Sequence, residues 1–256
     1  MGYNPGMRKR LRFTPRLVEY DLNDPSSKKD YNEKVFTAVA PRYDLITRIL
    51  SFGRDRAWKR ELINSLPPTG VLRALDLACG TGDIARALAL RYPAGEITAI
   101  DLTPEMIRLA QRRSGSLAIR FVRGDMSRIP GPDESFDVIT GGYALRNAPD
   151  LEALLHEIMR VLKPGGTAAF LDFSKSERKI LQAGQLFLLG FWGSIWGYIF
   201  HRNPEVYGYI AASLKTFPDR RRLMKMIERT GFRDVRCRYF FFGFSALITC
   251  RKFQLP

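Results

Sequence analysis

Between Leu72 and Phe173 short apolar runs alternate with longer amphipathic ones, and this alternation restricts the chain more than any other feature. A strand covered on both faces is apolar along its length, and parallel neighbours need a crossover of a dozen or more residues between them. The pattern therefore predicts an α/β fold with a parallel sheet covered by helices. Strands are expected at Val71–Leu77, Glu96–Ile100, Ile119–Val122, Phe136–Thr140 and Thr167–Phe173, and helices at Asp83–Arg91, Pro104–Arg113 and Leu151–Leu162. Lys163-Pro164-Gly165-Gly166 stops the last helix, because proline cannot continue the ladder and glycine accepts the left-handed cap. A helix Arg220–Thr230 and a hairpin of Val235–Phe242 with Phe244–Cys250 around Gly243 follow, which brings the expected strands of a mostly parallel sheet to seven.

The flanks read differently. Residues 1–30 open Met-Gly-Tyr-Asn-Pro-Gly, carry a basic run from Arg8 to Arg12, and are expected to form a flexible basic arm. No apolar stretch follows the basic run, which argues against a signal peptide, and Glu19, Asp21 and Asp24 argue against a cleaved transit peptide. Residues 31–70 place Val35, Phe36 and Val39, then Leu45, Ile46, Ile49 and Leu50, at helical spacing, so a cap of two or three helices is expected. The remaining 71–256 form the main domain, with an apolar helical insertion at about 177–217. Within it, Ile180–Phe200 is uncharged over twenty-one residues, long enough to span a bilayer, yet it holds Gln182, Gln185, Ser194 and four glycines. It reads as a buried or cofactor-covering helix pair, as a lid for a greasy substrate, or as a surface that dips into lipid headgroups.

Composition enters through charge. In 256 residues, 41 Lys and Arg stand against 26 Asp and Glu, a net +15. Residues 73–174 carry 12 basic and 13 acidic groups, whereas 1–72 carry 14 and 8 and 175–256 carry 15 and 5. Basic flanks on a neutral centre suit either nucleic acid or an anionic membrane. The three cysteines, Cys79, Cys237 and Cys250, have unrelated spacings, so neither a disulfide framework nor a metal cluster is expected and the compartment reads as reducing.

The sharpest local signal is Asp76-Leu77-Ala78-Cys79-Gly80-Thr81-Gly82-Asp83, between a strand and a helix. Gly80 and Gly82 let the backbone turn tightly and approach a ligand at the carboxyl end of the sheet. Asp76 and Asp83 would repel a pyrophosphate there. They suit a cationic ligand without phosphates, such as the sulfonium and ammonium of S-adenosylmethionine (SAM). Asp101, nineteen residues after Gly82, is spaced to meet two ribose hydroxyls, and Asp125 with Met126 to meet an adenine. The plainer readings are that Asp101 caps the helix begun by Pro104 and that Asp125 is a turn residue. Cys79 reads as a small filler of the loop.

With these residues placed, the chain resembles class I SAM-dependent methyltransferases, and more closely the ubiquinone/menaquinone biosynthesis C-methyltransferase family. The resemblance spans about residues 32–252 and implies a Rossmann-like α/β fold with a mostly parallel seven-stranded sheet. It rests on Tyr43-Asp44, Leu50-Ser51-Phe52-Gly53, Trp58-Lys59, the loop 76–83, Leu145-Arg146-Asn147 with Asp150, Arg160 to Gly166, Phe173-Ser174-Lys175, and Tyr207-Gly208-Tyr209 with Ser213 and Phe217-Pro218. Asp55, Cys79, Gly142 and Asp172 depart from the usual pattern of histidine, glycine, serine and glutamate. The resemblance implies that Thr81, Asp101, Asp125 and Met126 contact SAM beside Asp76, Gly80 and Gly82, that the substrate is a prenylated quinol, and that no metal takes part.

Ring-carbon methylation needs an electron-rich carbon, best obtained by ionising the neighbouring hydroxyl. Arg146 is expected to stabilise the oxyanion, Asn147 to orient the hydroxyl, Tyr43 with Asp44 to close the pocket, and a held water to act as base. The plainer alternative makes Arg146 a surface ion pair with Asp150. His156 reads as structural and His201 as a weak candidate. A prenyl tail is met at a bilayer, so a cytoplasmic enzyme peripheral at the inner, anionic membrane face is expected, with a homodimer left open. Competing readings are a small-molecule or phospholipid methyltransferase on the same fold, and a basic RNA-binding protein without catalysis. The second is disfavoured because the aromatics cluster with apolar residues, so no nucleic-acid partner is expected.

Overall fold

The computed structural model describes residues 15–68 and 71–253; the basic run from Arg8 to Arg12 lies outside them. Three helices come first: α1 (Pro25–Val39), α2 (Tyr43–Leu50) and α3 (Asp55–Asn64). The sheet domain follows as β1 (Arg73–Leu77), α4 (Asp83–Arg91), β2 (Glu96–Asp101), α5 (Pro104–Ser114), β3 (Ile119–Arg123), β4 (Phe136–Gly142), the one-turn α6 (Ala144–Asn147), α7 (Leu151–Val161) and β5 (Leu162–Phe173). It closes with α8 (Lys179–His201), α9 (Glu205–Thr216), α10 (Arg220–Arg229), β6 (Phe232–Phe240) and β7 (Ser245–Lys252).

The seven strands lie in the order β3-β2-β1-β4-β5-β7-β6, parallel except for β7, which runs antiparallel to both β5 and β6. The central strands are apolar because helices cover both faces: Leu75, Leu77, Ile139 and Phe170 are fully buried. β1 sits between β2 and β4, with Ala74 in register with both Ile97 and Val138. Their connections leave in opposite directions, which opens a crevice at the carboxyl ends of β1, β2 and β4.

Several expected boundaries shift for identifiable reasons. Helix α1 starts at Pro25, inside the segment expected to be a free arm, because Asp24 caps it by accepting from the Ser27 N–H (2.7 Å) and Pro25 occupies the first turn, where no N–H is needed. Lys28 and Tyr31 of that helix are buried. Leu162 already pairs with Phe136, and Lys163 to Gly166 form an irregularity before pairing resumes at Thr167 opposite Val138. β6 starts at Phe232 and stops at Phe240, since Phe241 and Phe242 both take left-handed backbone angles (φ 48° and 53°) that a strand cannot hold. The uncharged segment is neither a buried element nor by itself a pair: it is the single helix α8, partnered by α9, with Gln185, Gly193 and Gly197 as its buried residues.

Candidate functional site

The crevice is built on the glycine loop. Gly80 and Gly82 have φ of 52° and 85°, and a side chain at Gly82 would meet the Ala110 Cβ of α5 at 3.0 Å. Asp101 ties that loop to β2: its Oδ2 accepts from the Gly80 N–H (2.8 Å) and its Oδ1 from the Thr103 N–H (2.9 Å). The helix-start contact and the cleft-lining position thus belong to the same carboxylate, and each oxygen keeps a lone pair for a ligand hydroxyl.

Asp76 is buried, and its Oδ1 accepts from the Thr140 hydroxyl (2.9 Å) while its Oδ2 has no partner among the described residues. Burial pushes its pKa up to about 7. An unpaired buried carboxylate oxygen is costly unless a donor arrives, and an ammonium is the donor it suits. Asp83 corrects the expectation that two free carboxylates flank the loop. Burial raises its pKa, but the Lys59 ammonium at 3.0 Å and the Arg86 guanidinium outweigh that and hold it below the ordinary value. Of the two, Asp76 forms no ion pair, although the Lys59 ammonium partly offsets its charge; it lines a small hollow with Lys59, Thr81 and Asp83 that adjoins the main cleft along Tyr43, Gly80 and Tyr143. Cys79 is buried beside these groups, which pushes its thiol pKa well up and leaves it unreactive, in keeping with a filler.

From the loop, a cleft of about 660 Å³ runs past Ile100, Asp101 and Met126 to Tyr143 and Asn147. Lys29, Asn32, Phe36 and Tyr43 of the helical cap form its other wall. Asp125 makes a turn bond to the Ser127 N–H (2.8 Å) and is also gripped across the rim by Lys29 (2.6 Å). Glu33 reaches Arg123 in the same way (2.7 Å). Asp44 does not line the substrate side: its carboxylate accepts from the Thr81 hydroxyl (2.6 Å) and pairs with Arg113, so it fastens α2 to the glycine loop and α5. Gly142 departs from serine where a Cβ would lie 2.7 Å from Ile84.

A second cavity of about 630 Å³ adjoins the cleft, walled by Val35, Val39, Ile46, Leu50, Val206 and Ile210. The two share Phe36, Tyr43, Tyr143 and Asn147. Arg146 lines this apolar cavity and is buried, which removes the surface pair with Asp150; that residue instead caps α7 through the Ala153 N–H (3.0 Å). The guanidinium lies 3.6 Å from Asp172, donates to the Ser213 hydroxyl, and is sandwiched between the rings of Phe173 and Tyr209 at 5.5 and 5.6 Å. Asp172 also accepts from the Arg146 N–H (2.9 Å), so the aspartate at this unusual position carries the short helix and its cation together. Asn147 donates to the Tyr143 carbonyl (2.8 Å) and accepts from the Tyr209 hydroxyl (3.2 Å).

Sequence reasoning passed over Asn32, Tyr143 and Tyr209 as individual site residues. Tyr209 donates to Asn32 (2.5 Å), and Asn32 donates to the Asn147 carbonyl (2.8 Å), which sews α1, α6 and α9 together at the junction of the cavities. Tyr143, in the left-handed region at φ 60°, donates to Asp55 (2.8 Å), which also binds Lys59 (2.7 Å). That bond is what occupies the position where histidine is usual. The repeated tyrosines of 207–209 were a usable signal; nothing local marks Asn32 or Tyr143. His156 is exposed on α7, and His201 packs against the Tyr207 hydroxyl (2.8 Å) outside both cavities. Among the described residues no group of three or more His, Cys, Asp or Glu could hold a metal.

Residues 25–252 match the model of the ubiE/COQ5 methyltransferase family, a match that begins where α1 begins. The chain is 37% identical over 230 residues to the demethylmenaquinone methyltransferase of Deinococcus radiodurans, covering 88% of this chain and 94% of that protein. It is 33% identical over 228 residues to the Staphylococcus aureus strain JH9 protein of the same name, covering 88% and 95%. The crystal structure of a SAM-dependent methyltransferase from Aquifex aeolicus superposes with a TM-score of 0.54 at 19% identity, over 75% of this chain and 88% of that one, a likeness of fold.

Proposed function

The chain belongs to the ubiE/COQ5 methyltransferase family and is a SAM-dependent methyltransferase, and from that premise we propose that it methylates a ring carbon of a prenylated quinol. The relatives' names favour a naphthoquinol of the demethylmenaquinol type over the benzoquinol of ubiquinone synthesis. One observation carries the proposal: a cleft lined by the carboxylates of Asp101 and Asp125 shares a wall of Phe36, Tyr43, Tyr143 and Asn147 with an apolar cavity that holds the buried guanidinium of Arg146.

The residues present fit SAM. Asp76 would receive the ammonium, Asp101 the ribose hydroxyls, and Asp125 with Met126 the adenine. SAM, when bound, supplies a methyl group on a positively charged sulfur. The apolar walls take the aromatic ring and the first part of its tail and exclude water. Arg146, charged at every accessible pH, does not take a proton; it stabilises the ring oxygen as the hydroxyl ionises, and in a dry cavity such a fixed charge counts for far more than in water. Asn147 orients that hydroxyl, and a water at the cavity junction takes its proton. The methyl group replaces a ring hydrogen, with one proton released overall.

The tail places the reaction at a membrane, and the basic flanks favour the anionic inner face as the enzyme's peripheral position. The assay is transfer of labelled methyl from SAM to a short-tailed demethylmenaquinol in micelles, with the product's ring position read by mass spectrometry. Transfer to tail-less phenols or phosphatidylethanolamine, with none to any prenyl quinol, would refute the proposal.

A further inference from the structure

Three segments distant in sequence bring aromatic side chains to one exposed surface. Phe52, after α2, takes a left-handed backbone angle (φ 52°) and stacks on Trp192 of α8 at 5.5 Å and on Phe241 at 5.3 Å. The turn between β6 and β7, itself left-handed at two phenylalanines, holds Phe242 93% exposed. On α8, Phe187 and Phe191 stack on each other at 6.1 Å and are 70% and 58% exposed. Strained backbone that presents phenylalanine to water persists only where the surroundings enforce it. A continuous apolar surface of this kind marks a place of attachment.

Helix α8 is long and apolar enough to cross a bilayer, but its packing assigns it another position. A side chain at Gly193 would lie 2.5 Å from the Tyr207 carbonyl, and one at Gly197 2.6 Å from the Asn203 carbonyl. Its backbone is therefore pressed along α9, and the helix lies against the body of the protein with its opposite face outward. Arg178 precedes it and Lys179 begins it, Arg202 follows its last residue, and Arg54 lies two residues after Phe52. Residues 175–256 carry fifteen basic groups to five acidic ones. Apolar face and basic surroundings together match an anionic lipid surface.

The same surface adjoins the apolar cavity. Leu50 and Ser51 line that cavity, and Phe52, the next residue, closes against Trp192. The indole N–H groups of Trp192 and Trp196 are buried without acceptors among the described residues, so parting this wall breaks no hydrogen bond of theirs. We propose that the outer face of α8, flanked by Phe52 and Phe242, docks in the headgroup layer of an anionic bilayer, and that the prenyl tail passes from lipid to the cavity beneath the Phe52–Trp192 stack. The tail path rests on the prenyl-quinol reading; the docking does not.

The test uses the full chain with vesicles of phosphatidylglycerol and phosphatidylcholine, or of phosphatidylcholine alone. Wild type is expected to co-sediment with the anionic vesicles. The triple variant Phe187→Ser, Phe191→Ser, Phe242→Ser is expected to bind them at least tenfold more weakly and to keep its calorimetric affinity for SAM. Phe52→Ala is expected to alter KM for a long-tailed quinol in vesicles while leaving turnover of a short-tailed quinol in micelles unchanged. Unaltered vesicle binding by the triple variant would overturn the docking, as would a wild-type dimer that the variant dissolves without any lipid binding in either. Should vesicle binding behave as expected while no quinol is methylated, the docking stands and the tail path is refuted together with the quinol reading.

Discussion

The Arg146–Asp172 pair offers the most demanding test of the catalytic reading, because its stability effect and its activity effect point in different directions. Both groups are buried, with Asp172 Oδ1 3.6 Å from the guanidinium. Removing one partner leaves an uncompensated buried charge, which costs about 3–5 kcal/mol. Arg146→Met sits at the lower end of that range, because the Lys28 ammonium of α1 also faces Asp172. Asp172→Asn sits higher, since it strands Arg146 and also turns an amide towards one of two backbone N–H groups that the carboxylate accepts, from Arg146 at 2.9 Å and Phe173 at 2.7 Å. In the double variant no charge of the pair remains, and about 1–3 kcal/mol of hydrogen-bond loss is left. Urea unfolding should therefore show the double variant more stable than Asp172→Asn alone. Methyl transfer behaves differently: without the guanidinium the developing oxyanion loses its fixed charge, and turnover in Arg146→Met and in the double variant should fall by about 10²–10³-fold.

The pH dependence supplies a second reading of the same variants. Burial holds the Asp172 pKa above its ordinary value, with Arg146 opposing. A carboxyl raised in the folded state favours folding when protonated, so its contribution is present at low pH and lost as pH rises through the window between the unfolded and folded values. Arg146→Met raises the folded value further, so its deficit should be smaller at pH 5 than at pH 8. Destabilisations that simply add in the double variant, a deficit that ignores pH, or a double variant with wild-type turnover would each refute the reasoning.

Two further outcomes are expected. With its pKa near 7, Asp76 is mostly neutral below that pH, so if it receives the ammonium the dissociation constant for SAM measured by calorimetry should rise about tenfold per pH unit below 7; Asp76→Asn should flatten the profile, and a flat wild-type profile would exclude this role. Gly193→Ala improves local helix propensity by about 1 kcal/mol, but its Cβ would meet the Tyr207 carbonyl at 2.5 Å. Overpacking costs about 1–3 kcal/mol, so the melting temperature should fall, and a rise would show that α8 and α9 are not pressed together.

Much of the architecture was legible in the residues themselves, because period and punctuation act locally. Helix α4 spans Asp83–Arg91 as its pattern implies, the glycine loop sits between β1 and α4, and acidic residues close β1 and β2. What stayed illegible depends on encounters between distant segments. Asp44 reads as a pocket residue until α2 is laid on the glycine loop, where Thr81, thirty-seven residues away, claims it. Arg146 looks four residues ahead to Asp150 on any helical diagram, yet α6 is one turn long and β5 brings Asp172 beneath it. The uncharged run of α8 determined a helix but not its exposure, which was decided when α9 took only the glycine side and left the phenylalanines outward. Backbone preference and hydrophobic period are properties of neighbours in the chain; partnership, burial and charge compensation are properties of neighbours in space, and Asn32 meeting Tyr209 across 177 positions exists only after the fold has closed.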